Sequence, residues 1–259
     1  MKRTIINYGS IVNLPCEFEP ILSGATIFDS SCSPEARVFF IDKDGGYYLK
    51  RSSVGMLENE AKMLSYFNSK GLSCEVLSYL SDGGFDWMLT RRVPGEDCTH
   101  GQYLSEPKRL ATLLGERLRE LHSLDFSDCP IRDRMKTYRD TAEANRSRAI
   151  FDGSYLGGAD MASAWREIEN NGGALSGKVL LHGDYCLPNV MLDDWRFSGF
   201  IDVGNGGVGD PHIDLYWGAW TLNFNLHTEE YRDVFFDAYG RDAVDLDKIR
   251  TVSAFECFG

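Results

Sequence analysis

The chain has 259 residues, 43% apolar and 25% charged, the balance of an ordinary globular protein with enough apolar material for one large domain or two small ones. Its 27 lysines and arginines stand against 39 aspartates and glutamates, a formal charge of −12 that argues against a nucleic-acid partner and favours a cationic small molecule, although such a charge also serves solubility alone. No apolar run approaches the roughly 20 residues of a membrane helix, the N-terminal MKRTIINYGSIVNLP lacks the apolar stretch of a signal peptide, and seven cysteines lie scattered without a C-x-x-C pair; the expectation is a cytoplasmic protein with no membrane association, reduced thiols, and no disulfide framework or zinc cluster.

The texture changes at Val93-Pro94-Gly95, strand-rich before and mainly helical after. Residues 38–51, VFFIDKDGGYYLKR, are two aromatic and β-branched runs flanking Asp44-Gly45-Gly46, which predicts a hairpin whose second strand ends at Lys50. In the next stretch, SSVGMLENEAKMLSYFNSKG, Ser52 or Ser53 is available as a cap and Gly71 as a stop, predicting a helix from near Gly55 to Ser69. Leu57, Ala61, Leu64 and Phe67 form its apolar stripe, Glu60 falls on the same stripe, and Lys50 is the cation expected to meet that carboxylate. Beyond Pro94, Leu110, Leu114, Leu118 and Leu121 repeat at helical spacing over 106–122, and helical texture recurs at 133–149 and 160–170. These are core stripes without chemistry, and His122 reads as a satisfied structural histidine rather than a catalyst.

The richest stretch is LLHGDYCLPNVMLDDWRFSGFIDVGNGGVG, residues 180–209. KVLLH is a strand and GDYCLP a loop, since Pro188 turns Leu187 away from helical geometry. Two strands follow, 189–193 and 197–202. A turn between Trp195 and Arg196 sets Asn189 opposite Asp202, with Cα atoms about 5 Å apart. An amide oxygen and a carboxylate then converge on a point suited to octahedral Mg²⁺, whose other positions go to water and phosphate oxygens. Asp184, on the preceding loop, faces that ion without having to ligate it and is placed to act as a base. Phosphoryl transfer to a hydroxyl needs little else: a metal, a lysine on the nucleotide, and a carboxylate that takes the proton. Alone, each of the three is an ordinary turn or cap residue; together, with Lys50 and Glu60 upstream, they point to chemistry. Cys186 has no neighbouring base and reads as filler. Gly204-x-Gly206-x-x-Gly209 mimics a dinucleotide fingerprint, but Asp210-Pro211 stands where a helix must begin, so these glycines are expected to form a flexible bend.

With these residues in hand, the chain resembles the aminoglycoside phosphotransferases, small-molecule kinases of protein-kinase-like fold. The resemblance rests on YYLK ending at Lys50, ENEAKML around Glu60, LHSLDFSDCP at 121–130, HGDYCLPN at 182–189, SGFIDVG at 198–204 and DPHIDL at 210–215. It implies an α+β, two-lobed fold: a small β-rich nucleotide-binding lobe over 1–94 and a larger, mainly helical catalytic and substrate-binding lobe over 95–259. By position, Lys50 holds the nucleotide phosphates and pairs with Glu60, Ser33 in SSCSPEARV contacts the phosphates, and adenine bonds the backbone near Arg91 to Val93. Asp184 matches the catalytic base, Asn189 and Asp202 the Mg²⁺ ligands, and His182 and Asp214 the residues that brace the catalytic loop. The departures fall on the substrate side, where Asn205 and Trp220 stand at positions that carry arginine in the 3'-phosphotransferase branch and the acidic C-terminus is reduced to AFECFG, leaving Glu256 and the terminal carboxylate of Gly259. Asn205 and Glu256 are therefore the candidate acceptor contacts. The implied function is transfer of the γ-phosphate of ATP or GTP to a hydroxyl of a kanamycin- or neomycin-type aminoglycoside, conferring resistance, by a monomer or homodimer. The alternatives are the same chemistry on a peptide antibiotic, macrolide or amino alcohol, and a non-catalytic pseudokinase, against which Lys50, Asp184, Asn189 and Asp202 are all intact.

Overall fold

The computed structural model describes residues 4–259. In chain order it contains β1 (Thr4–Ile6), α1 (Glu19–Leu22), β2 (Thr26–Asp29), β3 (Ala36–Asp42), β4 (Tyr47–Ser53), α2 (Glu58–Ser69), β5 (Val76–Asp82), β6 (Phe85–Arg91) and β7 (Glu96–Asp97). There follow α3 (Gly101–Leu104), α4 (Pro107–His122), α5 (Arg134–Ser147), α6 (Met161–Asn171), β8 (Val179–Leu181), β9 (Val190–Asp193), β10 (Arg196–Phe200), β11 (Gly207–Gly209), α7 (His212–Leu226), α8 (Arg232–Tyr239) and α9 (Leu246–Glu256). The class is α+β, and the chain forms two compact units. The first runs to Gly95 and takes in Met191–Gly204; the second is Glu96–Val190 with Asn205–Gly259.

The first unit is built on an antiparallel sheet of order β1-β2-β3-β4-β6-β5. At the β3–β4 turn Asp44, Gly45 and Gly46 all have positive φ, the conformation that made this tripeptide a hairpin signal. Because strand side chains alternate, Phe39, Ile41, Tyr47, Leu49, Trp87 and Leu89 share one face, where they bury against Phe18 and Leu22. The other face of β4 presents Lys50 to α2. That helix starts three residues later than Gly55, and Ser52 and Ser53 remain in β4 without capping it. Its first turn is served instead by Asp86 of β6, wholly buried, whose Oδ2 accepts the Leu57 N–H at 3.0 Å.

The β9–β10 hairpin corrects the expected register. Its turn is Asp194-Trp195, with φ of 45° and 65°, one residue earlier than predicted. Asn189 therefore closes a 3₁₀ turn, Leu187–Asn189, and Asp202 lies beyond the end of β10. Neither is a ladder residue, and the strand pairing expected to oppose them does not form.

In the second unit Leu110, Leu114, Leu118 and Leu121 of α4 are all buried. Asp133, Asp160 and Asp245 cap α5, α6 and α9 by accepting backbone N–H groups of the first turn. Met135, Ala164, Leu181, Ile213, Val252 and Phe255 belong to one core, which joins α5, α6, β8, α7 and α9. The glycine run is not a flexible bend: Gly207–Gly209 is a buried strand, antiparallel to β8 with Val208 opposite Leu180. No helix among the described residues is long and apolar enough to cross a membrane.

Candidate active site

Lys50 is the polar centre of the first unit. Its Nζ lies 2.9 and 2.8 Å from the two carboxylate oxygens of Glu60 and 2.9 Å from Oδ1 of Asp202. Burial opposes the charge on Lys50, but the carboxylates of Asp202 and Glu60 outweigh it and its pKa is raised. Glu60 is pushed up to about 6, by its burial and by the nearby charge of Asp202, against the pull of Lys50. One ammonium thus serves two carboxylates, one buried and one exposed. Asp202 has a φ of 55°, a left-handed conformation that aspartate tolerates. Two residues on, the chain passes α2 so closely that a Cβ on Gly204 would lie 3.2 Å from Cβ of Glu60. The Lys50–Glu60 pair follows the expectation from the helix stripe; the third member comes from 152 residues away, beyond any local pattern.

Asp184 stands on the loop between β8 and the 3₁₀ turn. Nδ2 of Asn189 donates to its Oδ2 and to its backbone oxygen, both at 2.9 Å. Asp214, wholly buried in the first turn of α7, accepts the His182 N–H at 2.8 Å and the Gly183 N–H at 2.7 Å. Nε2 of His122 lies 3.1 Å from the same carboxylate, and its Nδ1 lies 2.9 Å from the Tyr239 hydroxyl. His122 is the satisfied structural residue expected, and it orients Asp214. Gly183 must be glycine: its φ is +85°, and a Cβ there would lie 1.9 Å from the Asn205 carbonyl oxygen. Tyr185 OH donates to Leu114 O at 2.9 Å, tying the loop to α4. Burial pushes the Cys186 thiol far above its ordinary range, so it is inert filler.

Ser33 is exposed in the turn joining β2 to β3. The Arg91 N–H is committed to Glu75 O at 3.0 Å and that of Arg92 to Gly46 O at 3.0 Å, while buried Val93 keeps its N–H outside these bonds. Of the segment 91–93, Val93 is thus the backbone donor left for a ligand.

The pattern of the phosphotransferase enzyme family matches residues 26–251. A probable aminoglycoside 3'-phosphotransferase of Lactococcus lactis subsp. lactis is 48% identical, over 100% of this chain and 99% of its own length. This chain belongs to the aminoglycoside phosphotransferase family. Among solved structures the phosphotransferase is similar to an aminoglycoside 3'-phosphotransferase of type VIII, at a TM-score of 0.78 and 25% identity, over 91% of this chain and 94% of that one. It shares its fold with an aminoglycoside phosphotransferase of Streptomyces rimosus in complex with ADP and streptomycin, at a TM-score of 0.68 and 24% identity, over 86% and 90% of the two chains.

Of the two residues expected to meet the acceptor, Asn205 is exposed and its Oδ1 accepts from Arg134 of α5 at 3.0 Å. Glu256 is not a surface residue: it is nine-tenths buried, and its Oε1 accepts from Tyr138 OH at 2.6 Å and Trp217 Nε1 at 3.1 Å. Burial pushes its pKa up to about 7. Arg134 and Tyr138 went unread in the sequence, where nothing marks α5 as more than a polar helix. Asp210 also went unread. Burial would raise its pKa, but two bonds from His212 and one from the Gly177 N–H hold it down to about 2 at the start of α7.

Proposed function

We propose that the protein transfers the γ-phosphate of ATP or GTP to a hydroxyl of an aminoglycoside of the kanamycin or neomycin type, and so confers resistance. The observation that carries this reading is the clamp on Asp184, a half-exposed carboxylate with Oδ2 held by the Asn189 amide on a loop braced through Asp214. Asp184 orients the acceptor hydroxyl and takes its proton as the oxygen attacks the γ-phosphorus. The bond from that phosphorus to the bridging oxygen breaks, and the nucleoside diphosphate leaves. Lys50, kept charged by Glu60 and Asp202, offers its ammonium to the phosphates. Ser33 contributes a hydroxyl from its turn, and adenine meets the backbone at Val93.

The donor chemistry fits Mg²⁺. Asn189 in the second unit and Asp202 in the first would each offer a hard oxygen, one neutral and one charged, and Mg²⁺ takes one or two protein donors beside water and phosphate oxygens. When bound, the ion neutralises phosphate charge. Because Nδ2 of Asn189 is spent on Asp184, its amide oxygen is the atom left for a metal. The relatives named for 3'-phosphotransfer, and the streptomycin-bound relative of shared fold, support the acceptor class.

A second reading keeps the chemistry and changes the acceptor to another hydroxylated cationic compound. It is favoured by Asn205, whose carboxamide receives Arg134 where arginine itself is expected. Coupled turnover with Mg²⁺, offering ATP and GTP separately against kanamycin, neomycin, an amino alcohol and no acceptor, decides between them. Kanamycin- or neomycin-dependent turnover supports the first reading; turnover with the amino alcohol alone supports the second.

A further inference from the structure

The second unit holds a group of side chains that the catalytic reading leaves unexplained. Both hydrogen bonds received by Glu256 fall on Oε1, and no lysine, arginine or histidine lies within ion-pair distance of its carboxylate among the described residues. Beside Trp217, the hydroxyl of Tyr216 is buried without a hydrogen-bond partner. It lies in the field of Glu256, Tyr155 and Cys186, and Cys186 is two residues beyond Asp184 in sequence. A buried carboxylate whose charge Arg134 offsets only in part, from beyond ion-pair distance, and a buried hydroxyl without a partner are each unfavourable, and a hydroxylated cation relieves both.

From this floor a ladder of aromatic rings runs to solvent. Tyr155 meets Trp217 at 6.0 Å and Trp220 at 6.2 Å, Trp217 meets Trp220 edge-on at 5.3 Å, and Trp220 stacks on Phe224 at 4.9 Å with planes 11° apart. The α7 members recur at the three- and four-residue spacing that puts side chains on one helix face. A core stripe is covered by its neighbours, but here Tyr155, Trp217 and Trp220 are only half-buried and Phe224 is 62% exposed.

We propose that the Tyr155–Trp217–Trp220–Phe224 ladder is the specificity-determining surface for the acceptor, receiving the face of a cationic amino-sugar ring whose ammonium and hydroxyl groups reach Glu256 and Tyr216. The inference rests on the function proposed above. Two features select this occupant: the buried carboxylate, only partly offset by Arg134, favours positive charge, and aromatic faces attract ammonium groups and take the C–H face of an alicyclic ring. It also gives Trp220 a role, at a position where the family resemblance leads one to expect arginine.

The test uses the full-length protein with Mg²⁺ and nucleotide, comparing Phe224→Ser and Trp220→Leu with wild type. The readouts are KM for kanamycin, KM for nucleotide, and quenching of tryptophan fluorescence by kanamycin. KM for kanamycin is expected to rise about tenfold in each variant with nucleotide KM within about twofold, and Phe224→Tyr to restore it. Phe224 is exposed, so its variant carries the test even if Trp220→Leu folds poorly. If wild type phosphorylates kanamycin and both variants keep its KM, the ladder is overturned and the function stands. If kanamycin quenches wild type but not the variants, and no phosphate is transferred, the function fails and the surface stands. With neither quenching nor transfer, both fall.

Discussion

The two polar centres hold their carboxylates by opposite means. Around Lys50, charge is held by charge: one ammonium is shared by Glu60 and Asp202. Around Asp214, charge is held by backbone, since two consecutive N–H groups of the loop that carries Asp184 and a histidine converge on one buried carboxylate. The first arrangement is exchangeable, because phosphate oxygens can compete with a carboxylate for an ammonium. The second is rigid, because backbone N–H groups move only if the loop does. A phosphotransferase needs both: an electrostatic grip that yields to each nucleotide, and a base whose position does not change between turnovers.

The largest expected effect comes from the rigid centre. Asp184→Asn removes the proposed base while keeping a side chain for Asn189 to hold, and kcat should fall by about three orders of magnitude with nucleotide affinity unchanged. Steady-state kinetics with calorimetry checks this; near-wild-type turnover would remove Asp184 from its role. Next, Asp214→Ala leaves the His182 and Gly183 N–H groups without their acceptor, and urea unfolding should show a loss of about 4 kcal/mol. A loss below about 1 kcal/mol would mean that the loop is held elsewhere.

The exchangeable centre should respond differently. Lys50→Met strands Glu60 in a buried site without its cation and should cost about 3 kcal/mol of stability together with nucleotide affinity. Adding Glu60→Gln should return most of the stability and none of the affinity. If the double variant recovers both, the ammonium is structural and does not meet phosphate.

The smallest effect sharpens a third case, a carboxylate held by neutral side-chain donors with Arg134 acting only from beyond ion-pair distance. Glu256 is pushed up to about 7, from an ordinary 4.5, by burial. The folded state therefore holds more protons than the unfolded one between those values, and stability falls as pH rises through that window. Glu256→Gln should flatten this slope, and above pH 7 it should be the more stable protein by at most about 3 kcal/mol. Identical slopes for variant and wild type between pH 5 and 7.5 would mean that Arg134 compensates Glu256 within the protein.

The sequence by itself determined what neighbours along the chain decide. The β3–β4 hairpin was legible because Asp44-Gly45-Gly46 accepts positive φ. Lys50 was legible as the partner of Glu60 because a single turn separates their strand and helix. The loop that carries Asp184 was legible because Pro188 follows the strand KVLLH too closely for an α-helix to begin. The misread details were decided at long range or against local preference. The cap of α2 is Asp86 from a later strand, and the β9–β10 turn puts bulky Trp195 at a φ of 65°, which no propensity favours. Tertiary structure alone brought Asp202 to Lys50, Arg134 to Asn205, and Tyr155 and Glu256 to the face of α7. Local geometry follows from steric rules with periods of two and 3.6 residues, which a sequence displays openly. Which distant carboxylate meets which cation depends on how whole faces pack, and that is set by the sum of many small burial terms rather than by any one residue.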